Sequence, residues 1–258
     1  MITYERRQSL LKLLRKQPGL RVPELASALH VSEGTVRNDL NALEADGHIH
    51  RVHGGAILIE HVDFLKTSFT ARHQENAAEK MAIAQVAAEM VNDGDSILLD
   101  ASSTAYYFAQ AIQTRNRLRV VTNGLDVARF LAHNPANKVI LIGGILNQDG
   151  SSVTGLFNER IIEELHIQKA FVSCSGFSLE RGMTEVHIEE AQLKRKVIGA
   201  SREVIALIDS SKIGQEDLTP FARVEQINHI FTDSGISPQW AQLIERAGIA
   251  LTICQVKP

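Results

Sequence analysis

Between Val22 and Leu58 the chain carries two short amphipathic periods and then a pair of alternating runs, an order that few folds satisfy. Val22-Pro23-Glu24 opens the first period, with proline in a first turn where its missing N–H has no helical acceptor anyway. Leu25, Ala26 and Leu29 are the apolar positions of that period. Ser32 follows the turn as an N-cap able to accept an orphan backbone N–H. Val31 and Val36 flank it with the spacing of a hydrophobic staple. Val36, Leu40 and Leu43 recur at i, i+4 and i+7 and mark one buried face, and Gly47 supplies a left-handed stop. His48 to Val52 alternates polar and apolar as a half-buried strand does, Gly54-Gly55 gives a turn, and Ala56-Ile57-Leu58 returns as a second strand. Two helices with a basic hairpin behind them predict a winged helix-turn-helix.

The polar face of the second helix carries Glu33, Thr35, Arg37, Asn38 and Asn41. A helix with one apolar stripe and a short face of Arg and Asn is what the major groove admits, arginine matching guanine edges and asparagine adenine edges. Ser32 and Thr35 suit phosphate oxygens. Arg51 and His53 on the wing complete a predicted DNA-contacting set of Ser32, Glu33, Thr35, Arg37, Asn38, Asn41, Arg51 and His53. A helical hairpin with a solvated polar face has the same periodicity; the basic β-hairpin behind it is what favours DNA. Charge agrees. The whole chain is at −3, but residues 1–58 hold eight Lys/Arg against six Asp/Glu, leaving 19 against 24 for the rest. The positive half is the reading half. His48, His50 and His53 lack a recognised zinc spacing and read as facing the DNA backbone, so no metal site is expected.

Leu10, Leu11, Leu13 and Leu14 predict a helix over Tyr4–Lys16 packed under the two others. Residues 59–76 lack a sustained period and read as a connector. This divides the chain into a DNA-binding domain (1–58), a linker (59–76) and a larger domain (77–258). In that larger domain helical and short apolar segments alternate, with strands expected at Ser96–Leu99, Arg119–Val121, Lys138–Ile142, Lys169–Val172, Glu203–Ile208, Ile227–Phe231 and Ala250–Ile253. Apolar strands alternating with helices predict an open, mostly parallel α/β sheet covered on both faces. Two cysteines, Cys174 and Cys254, are no disulfide framework. Cys174 has no evident base beside it and reads as a small buried side chain. Charged Glu5, Arg6 and Arg7 follow the start at once, and no apolar run is long enough to span a bilayer, so a cytoplasmic protein without a membrane partner is expected.

In such sheets ligands sit beyond the carboxyl ends of the strands. Those ends read Asp100-Ala101-Ser102-Ser103-Thr104, Thr122-Asn123, Gly143-Gly144, Ser173-Cys174-Ser175-Gly176 and Asp209-Ser210-Ser211-Lys212. They are small, hydroxylic or glycine positions with one lysine. Ser102-Ser103-Thr104 opens a helix, where free N–H groups and the helix dipole favour an anion. A phosphate or carboxylate in this crevice is the expectation. Gly143-Gly144 is too short for a dinucleotide fingerprint, so no cofactor is expected.

Across nearly its whole length the chain resembles the DeoR family of bacterial sugar-metabolism regulators. The N-terminal resemblance rests on Glu24-Leu25-Ala26, Val31-Ser32, Thr35-Val36-Arg37, Asp39-Leu40, Leu43-Glu44, Gly47 and His53-Gly54-Gly55-Ala56. The C-terminal one rests on Glu79-Lys80, Ile83-Ala84, Gly94-Asp95, Leu99-Asp100, Ser103-Thr104, Thr122-Asn123, Gly143-Gly144, Glu189-Glu190-Ala191, Leu193-Lys194-Arg195 and Asp209-Ser210-Ser211-Lys212. Asn38 departs from the second arginine usual in the family. The resemblance implies a repressor of a carbohydrate operon, self-associating as a dimer or tetramer on operator DNA. It also implies a sensor domain similar to ribose-5-phosphate isomerase that binds a phosphorylated sugar effector. By that analogy Ser102, Ser103 and Thr104 hold phosphate and Lys212 is a ligand lysine. The effector set is Asp100, Ser102, Ser103, Thr104, Thr122, Asn123, Gly143, Gly144, Ser175, Gly176, Glu185, Glu190, Lys194 and Lys212. Ser173-Cys174-Ser175-Gly176 stands where the isomerase has an aspartate-rich motif, and no general base can be placed from the sequence. Sensing is therefore expected over turnover, an isomerase-like enzyme being the alternative.

Overall fold

A computed structural model describes residues 3–17, 19–46, 48–52, 54–58, 69–155, 162 and 164–256; Gly47, His53 and residues 59–68 of the connector lie outside them. The chain forms two compact units, Met1–Arg72 and His73–Pro258.

In the first unit α1 (Thr3–Lys16), α2 (Val22–Leu29) and α3 (Glu33–Ala45) pack with an antiparallel hairpin of β1 (Ile49–Val52) and β2 (Gly55–Leu58). One core holds Leu10 and Leu14 of α1, Leu25 of α2, Val36, Leu40 and Leu43 of α3, and Ile49, Ala56 and Leu58 of the hairpin. The periodic positions of α3 are thus buried, and Leu11, Leu13 and Leu29 pack partly buried against the same core. The hairpin is fixed to the start of α2: Val22 N–H donates to the Gly54 carbonyl at 2.8 Å. A Cβ on Gly55 would lie 2.4 Å from the Leu20 carbonyl oxygen, so only glycine lets the wing come this close. Within the segment read as a connector, the structure holds a six-residue helix, α4 (Phe69–Gln74), with none of its residues buried. Fewer than two turns leave no period to detect.

The second unit is built on seven strands, β3 (Ser96–Leu99), β4 (Arg119–Thr122), β5 (Lys138–Leu141), β8 (Ile167–Val172), β11 (Ser201–Leu207), β13 (His229–Asp233) and β14 (Ala250–Cys254). Their order is β14-β13-β11-β8-β3-β4-β5, and every described pairing is parallel. Side chains alternate between two cores. Ile97, Leu99, Val120, Phe171, Ile205, Leu207 and Phe231 face α5 (Ala77–Ala87), α6 (Ser103–Ala111) and α7 (Leu125–Ala132). Leu98, Val121, Ala170, Val172, Val204, Ala206 and Ile230 join the core of α8 (Ile188–Gly199) and α9 (Pro238–Arg246). Burial on both faces is why these strands read as continuous apolar runs.

Two antiparallel pieces were not expected. β6 (Ile145–Leu146) pairs with β7 (Val153–Thr154), and β9 (Gly176–Ser178), β10 (Gly182–Glu185) and β12 (Thr219–Ala222) make a small sheet in the order β12-β10-β9. Gly176, read as loop, therefore begins a strand. Pro220 sits in the edge strand β12, the place a sheet tolerates a missing donor.

Candidate functional site

Ser32 caps α3 as its position requires: its Oγ accepts from Thr35 N at 3.1 Å and lies 2.9 Å from Thr35 Oγ1. Replacing Ser32 with alanine is expected to destabilise the first unit by about 1 kcal/mol. Urea unfolding of the full chain, followed on that unit, checks this; no change would mean the cap is dispensable.

Glu33, Arg37, Asn38 and Asn41 are exposed on α3, and Thr35 is half-buried. Arg37 pairs with Glu33 one turn back at 2.9 Å. Arg51 ties wing to helix, with Nη1 2.6 Å from Asn41 Oδ1, Nε 3.2 Å from the Gly55 carbonyl and its backbone N–H on Glu44. Asn41 and Arg51 therefore brace one another. Sequence reasoning missed the anchor beneath: buried Asp39 of α3 receives Arg6 at 2.5 Å and Arg7 at 3.3 Å from α1. Partners more than thirty residues apart leave no local signal.

In the second unit the chain runs from β3 outward through β4 and β5, returns to β8 beside β3, and continues outward on the other side. The switch point lies between β3 and β8, where open α/β sheets bind ligands. Asp100 and Ser173 stand at its two lips. Asp100 Oδ1 accepts from Ser102 N–H at 3.0 Å and Ser102 Oγ–H at 2.5 Å; Oδ2 accepts from Ser173 N–H at 2.8 Å and Lys194 Nζ at 2.8 Å. Ser102 Oγ in turn caps α6 by accepting from Ala105 N–H at 3.0 Å. Asp100 and Ser102 are thus committed to shaping the loop. α6 leaves Ser103 and Thr104 N–H at its first turn, positions without an intrahelical acceptor. Thr104 is 0% exposed, and its Oγ1 and the Ser173 Oγ have no hydrogen-bond partner.

Lys194, from α8, is buried among acceptors: besides Asp100 it reaches Glu185 Oε1 at 2.5 Å and the Ser173 carbonyl at 2.8 Å, with Phe221 5.2 Å away at its ring centre. Glu185 Oε2 accepts from Ser175 Oγ at 2.7 Å. Burial alone would neutralise both ends. It pushes the Asp100 carboxyl up, yet Lys194 and the hydrogen bonds hold that carboxyl below its ordinary value. Burial likewise lowers Lys194, and Asp100, Glu185 and Glu190 more than reverse it. The buried Cys174 thiol is pushed up to about 12, chiefly by burial, with Lys212, Glu185, Lys194 and Asp209 also acting on it. A thiol so placed stays protonated and is no nucleophile. Lys212 lies 3.7 Å from buried Asp209, in the turn after β11.

A second group of sequence-predicted residues meets on the β6–β7 hairpin. Glu190 accepts from Asn147 Nδ2 at 3.2 Å and Ser152 Oγ at 3.3 Å. Asn123 Nδ2 reaches the Val153 carbonyl at 3.3 Å, and Thr122 Oγ1 accepts from Gly124 N–H. A Cβ on Gly143 would lie 2.3 Å from Val153 Cγ1, so Gly143 serves close packing. Gly144 is exposed. Asn147 and Ser152 were overlooked, though the Asn147-Gln148-Asp149-Gly150 stretch is a turn signal. Glu190 and Lys194 are one helical turn apart on α8, which joins the two groups.

Among the described residues no helix is long and apolar enough to cross a membrane. A family model described as the DeoR-like helix-turn-helix domain matches residues 6–62, and one described as the DeoR C terminal sensor domain matches residues 75–234. The chain is 37% identical over 255 residues to the HTH-type transcriptional regulator GolR of Listeria innocua, covering 99% of this chain and 100% of the relative. It is 36% identical over 231 residues to the lactose phosphotransferase system repressor of Streptococcus mutans, covering 89% and 91%. Among solved structures, ribose 5-phosphate isomerase A from Neisseria gonorrhoeae is similar over 52% of each chain at 17% identity with a TM-score of 0.37, too low to transfer any residue's role.

Proposed function

The chain belongs to the DeoR family of transcriptional regulators, and from that premise we propose that it represses a carbohydrate operon and is relieved by a phosphorylated sugar bound at the β3–β8 switch point. The observation that carries the ligand class is the mouth of α6. Two N–H groups of a helix start and the buried, unpartnered hydroxyl of Thr104 stand at the carboxyl end of β3. Ser173, its hydroxyl likewise unpartnered and its N–H sharing Asp100 with that loop, follows the neighbouring β8, and Lys212 comes after the next strand, β11. Donors of this kind suit phosphate oxygens. In this reading Ser103, Thr104, Ser173 and Lys212 take the phosphate. Thr122, Asn123, Gly143, Gly144, Ser175, Gly176 and Glu190 shape the sugar end, and Asp100, Ser102, Glu185 and Lys194 hold the frame. Relatives named for lactose phosphotransferase and aga operon repression support a sugar operon, while one named L-fucose operon activator makes the direction of control a matter for measurement. The isomerase reading is not favoured: of the buried carboxylates at the crevice, Asp100 and Glu185 are committed to Lys194, and Asp209 is held by Asn76, Ser211 and Lys212.

On DNA, two copies set paired α3 helices into major grooves, with half-sites about one turn, roughly 10 bp, apart. Ligand that binds the released state more tightly lowers operator affinity.

The test is thermal melting of the full chain against a panel of phosphorylated sugars and their unphosphorylated parents. A ligand at about 100 times its Kd adds roughly 2.7 kcal/mol of stability. A hit confined to phosphorylated compounds is the expected result. Lys212→Ala is expected to weaken that hit by about 1.5–3 kcal/mol, the worth of a charge-assisted hydrogen bond, with operator binding intact. A panel without a hit, or a parent sugar acting equally well, would contradict the phosphate reading.

A further inference from the structure

The chain that leaves α4 is fastened to the crevice's supports at two places. Asn76, left-handed at φ 49° before α5, donates from Nδ2 to Asp209 Oδ1 and to Ser211 Oγ, both at 3.1 Å. Three residues earlier, the His73 ring stacks on Tyr107 with centroids 4.5 Å apart and meets Tyr106 edge-on at 5.4 Å. Tyr107 Oη–H donates to the His73 carbonyl at 3.0 Å. Tyr106 and Tyr107 lie on α6 about one turn after Ser103 and Thr104, and Asp209 and Ser211 share a turn with Lys212. The Asp209 carboxylate is divided. Oδ1 accepts from Asn76 and Ser211, while Oδ2 is buried without a hydrogen bond and faces Lys212 Nζ at 3.7 Å.

We propose that residues 73–76 relay occupancy of the crevice to the connector, with Asn76 as the positioning residue; this rests on the phosphate reading of the same site. An anion taken by Lys212 competes with Asp209 Oδ2 for the ammonium, and the charge left on Asp209 strengthens what Oδ1 accepts from Asn76. The same anion orders the first turn of α6, and the His73 contacts stand about one turn further along that helix. Both changes act on the stretch through which the chain passes from the DNA-binding unit to the sensor unit. A sequence reading that took 59–76 as linker had no reason to look for partners there.

Asn76→Gly keeps the left-handed backbone, which glycine adopts freely, and removes the amide. Hydrogen–deuterium exchange of the full chain, with and without inorganic phosphate at high concentration, reads the relay. In the wild type, phosphate is expected to slow exchange at residues 103–105 and, by about 5-fold or more, at residues 73–80. In Asn76→Gly the first response persists and the second falls away. Tyr107→Phe, which deletes only the hydroxyl on the His73 carbonyl, is expected to weaken the second response in the same direction. Retention of the 73–80 response in both variants would overturn the relay. Absence of protection at 103–105 in the wild type would overturn the phosphate reading and the relay with it.

Discussion

Replacing Lys194 with methionine is expected to lower the stability of the sensor unit by about 3–5 kcal/mol, the cost of stripping the partner from buried charges. For a unit of this size that is a fall in Tm of roughly 6–20 °C. The reason is geometric. Lys194 satisfies Asp100 and Glu185 at once, and both carboxylates are buried. Methionine fills the stem's volume and leaves two negative charges facing one another. Adding Glu185→Gln to Lys194→Met removes one of them and is expected to restore part of the loss, so that the two substitutions are non-additive. A single variant that melts within about 2 °C of the wild type, about 1 kcal/mol or less at this size, would mean the cluster carries little stability. The pH dependence has two edges. The Asp100 carboxyl is held below its ordinary value, so its contribution is present above the unfolded carboxylate range, about pH 4, and lost as pH falls through the lower folded value. Lys194 is raised, so its contribution is present below its unfolded value, about pH 10.4, and lost only as pH rises through the higher folded one. The wild-type contribution of the pair is therefore expected to stay flat between about pH 5 and 9. In the variant, burial pushes the Asp100 carboxyl up once Lys194 is gone, so the deficit narrows as pH falls.

Arg37→Ala is expected to weaken operator binding by about 1–3 kcal/mol, roughly 5- to 150-fold, if Arg37 reads a base. In the free protein Arg37 engages Glu33, with 59% of its side chain exposed. Exposed pairs one helical turn apart contribute only about 0.3–0.5 kcal/mol, so a guanine edge displaces Glu33 cheaply. The informative comparison is between an operator duplex, selected from a random pool with the wild-type protein, and an unrelated duplex. A loss confined to the operator assigns base reading to Arg37. An equal loss on both, with a salt slope reduced by about one, would make it a phosphate contact. No loss on either would remove Arg37 from the interface. Asn38 adjoins it on the same exposed face and is the next position to vary.

The elements that bury a regular stripe were legible in the sequence. Val36, Leu40 and Leu43 gave α3 its face, Ser32 its cap, and the apolar runs gave the parallel strands within one or two residues of their ends. So was the side of the sheet on which the strand ends gather, because parallel strands end on one side whatever their order. What stayed hidden depends on contacts across long stretches of chain. Nothing local foretells that Arg6 and Arg7 reach Asp39, or that Lys194 spans to Asp100. The β9-β10-β12 sheet escaped because its strands are three or four residues long, with Gly, Thr and Pro among them. Asp100 and Ser102 were read as ligand groups from their residue types; the structure adds that they also hydrogen-bond within the loop. Composition names donors and acceptors, and only the fold says which are already taken.

Fluorescence anisotropy of the full chain on the selected operator duplex, titrated with the phosphorylated sugar that raises its Tm and with the unphosphorylated parent, tests the central claim. Operator affinity is expected to fall about 5- to 150-fold with the phosphorylated compound, the range of an ordinary coupling free energy, and to stay unchanged with the parent. A phosphorylated ligand that binds the sensor unit and leaves operator affinity where it was would contradict the account, because a ligand with equal affinity for both states shifts nothing.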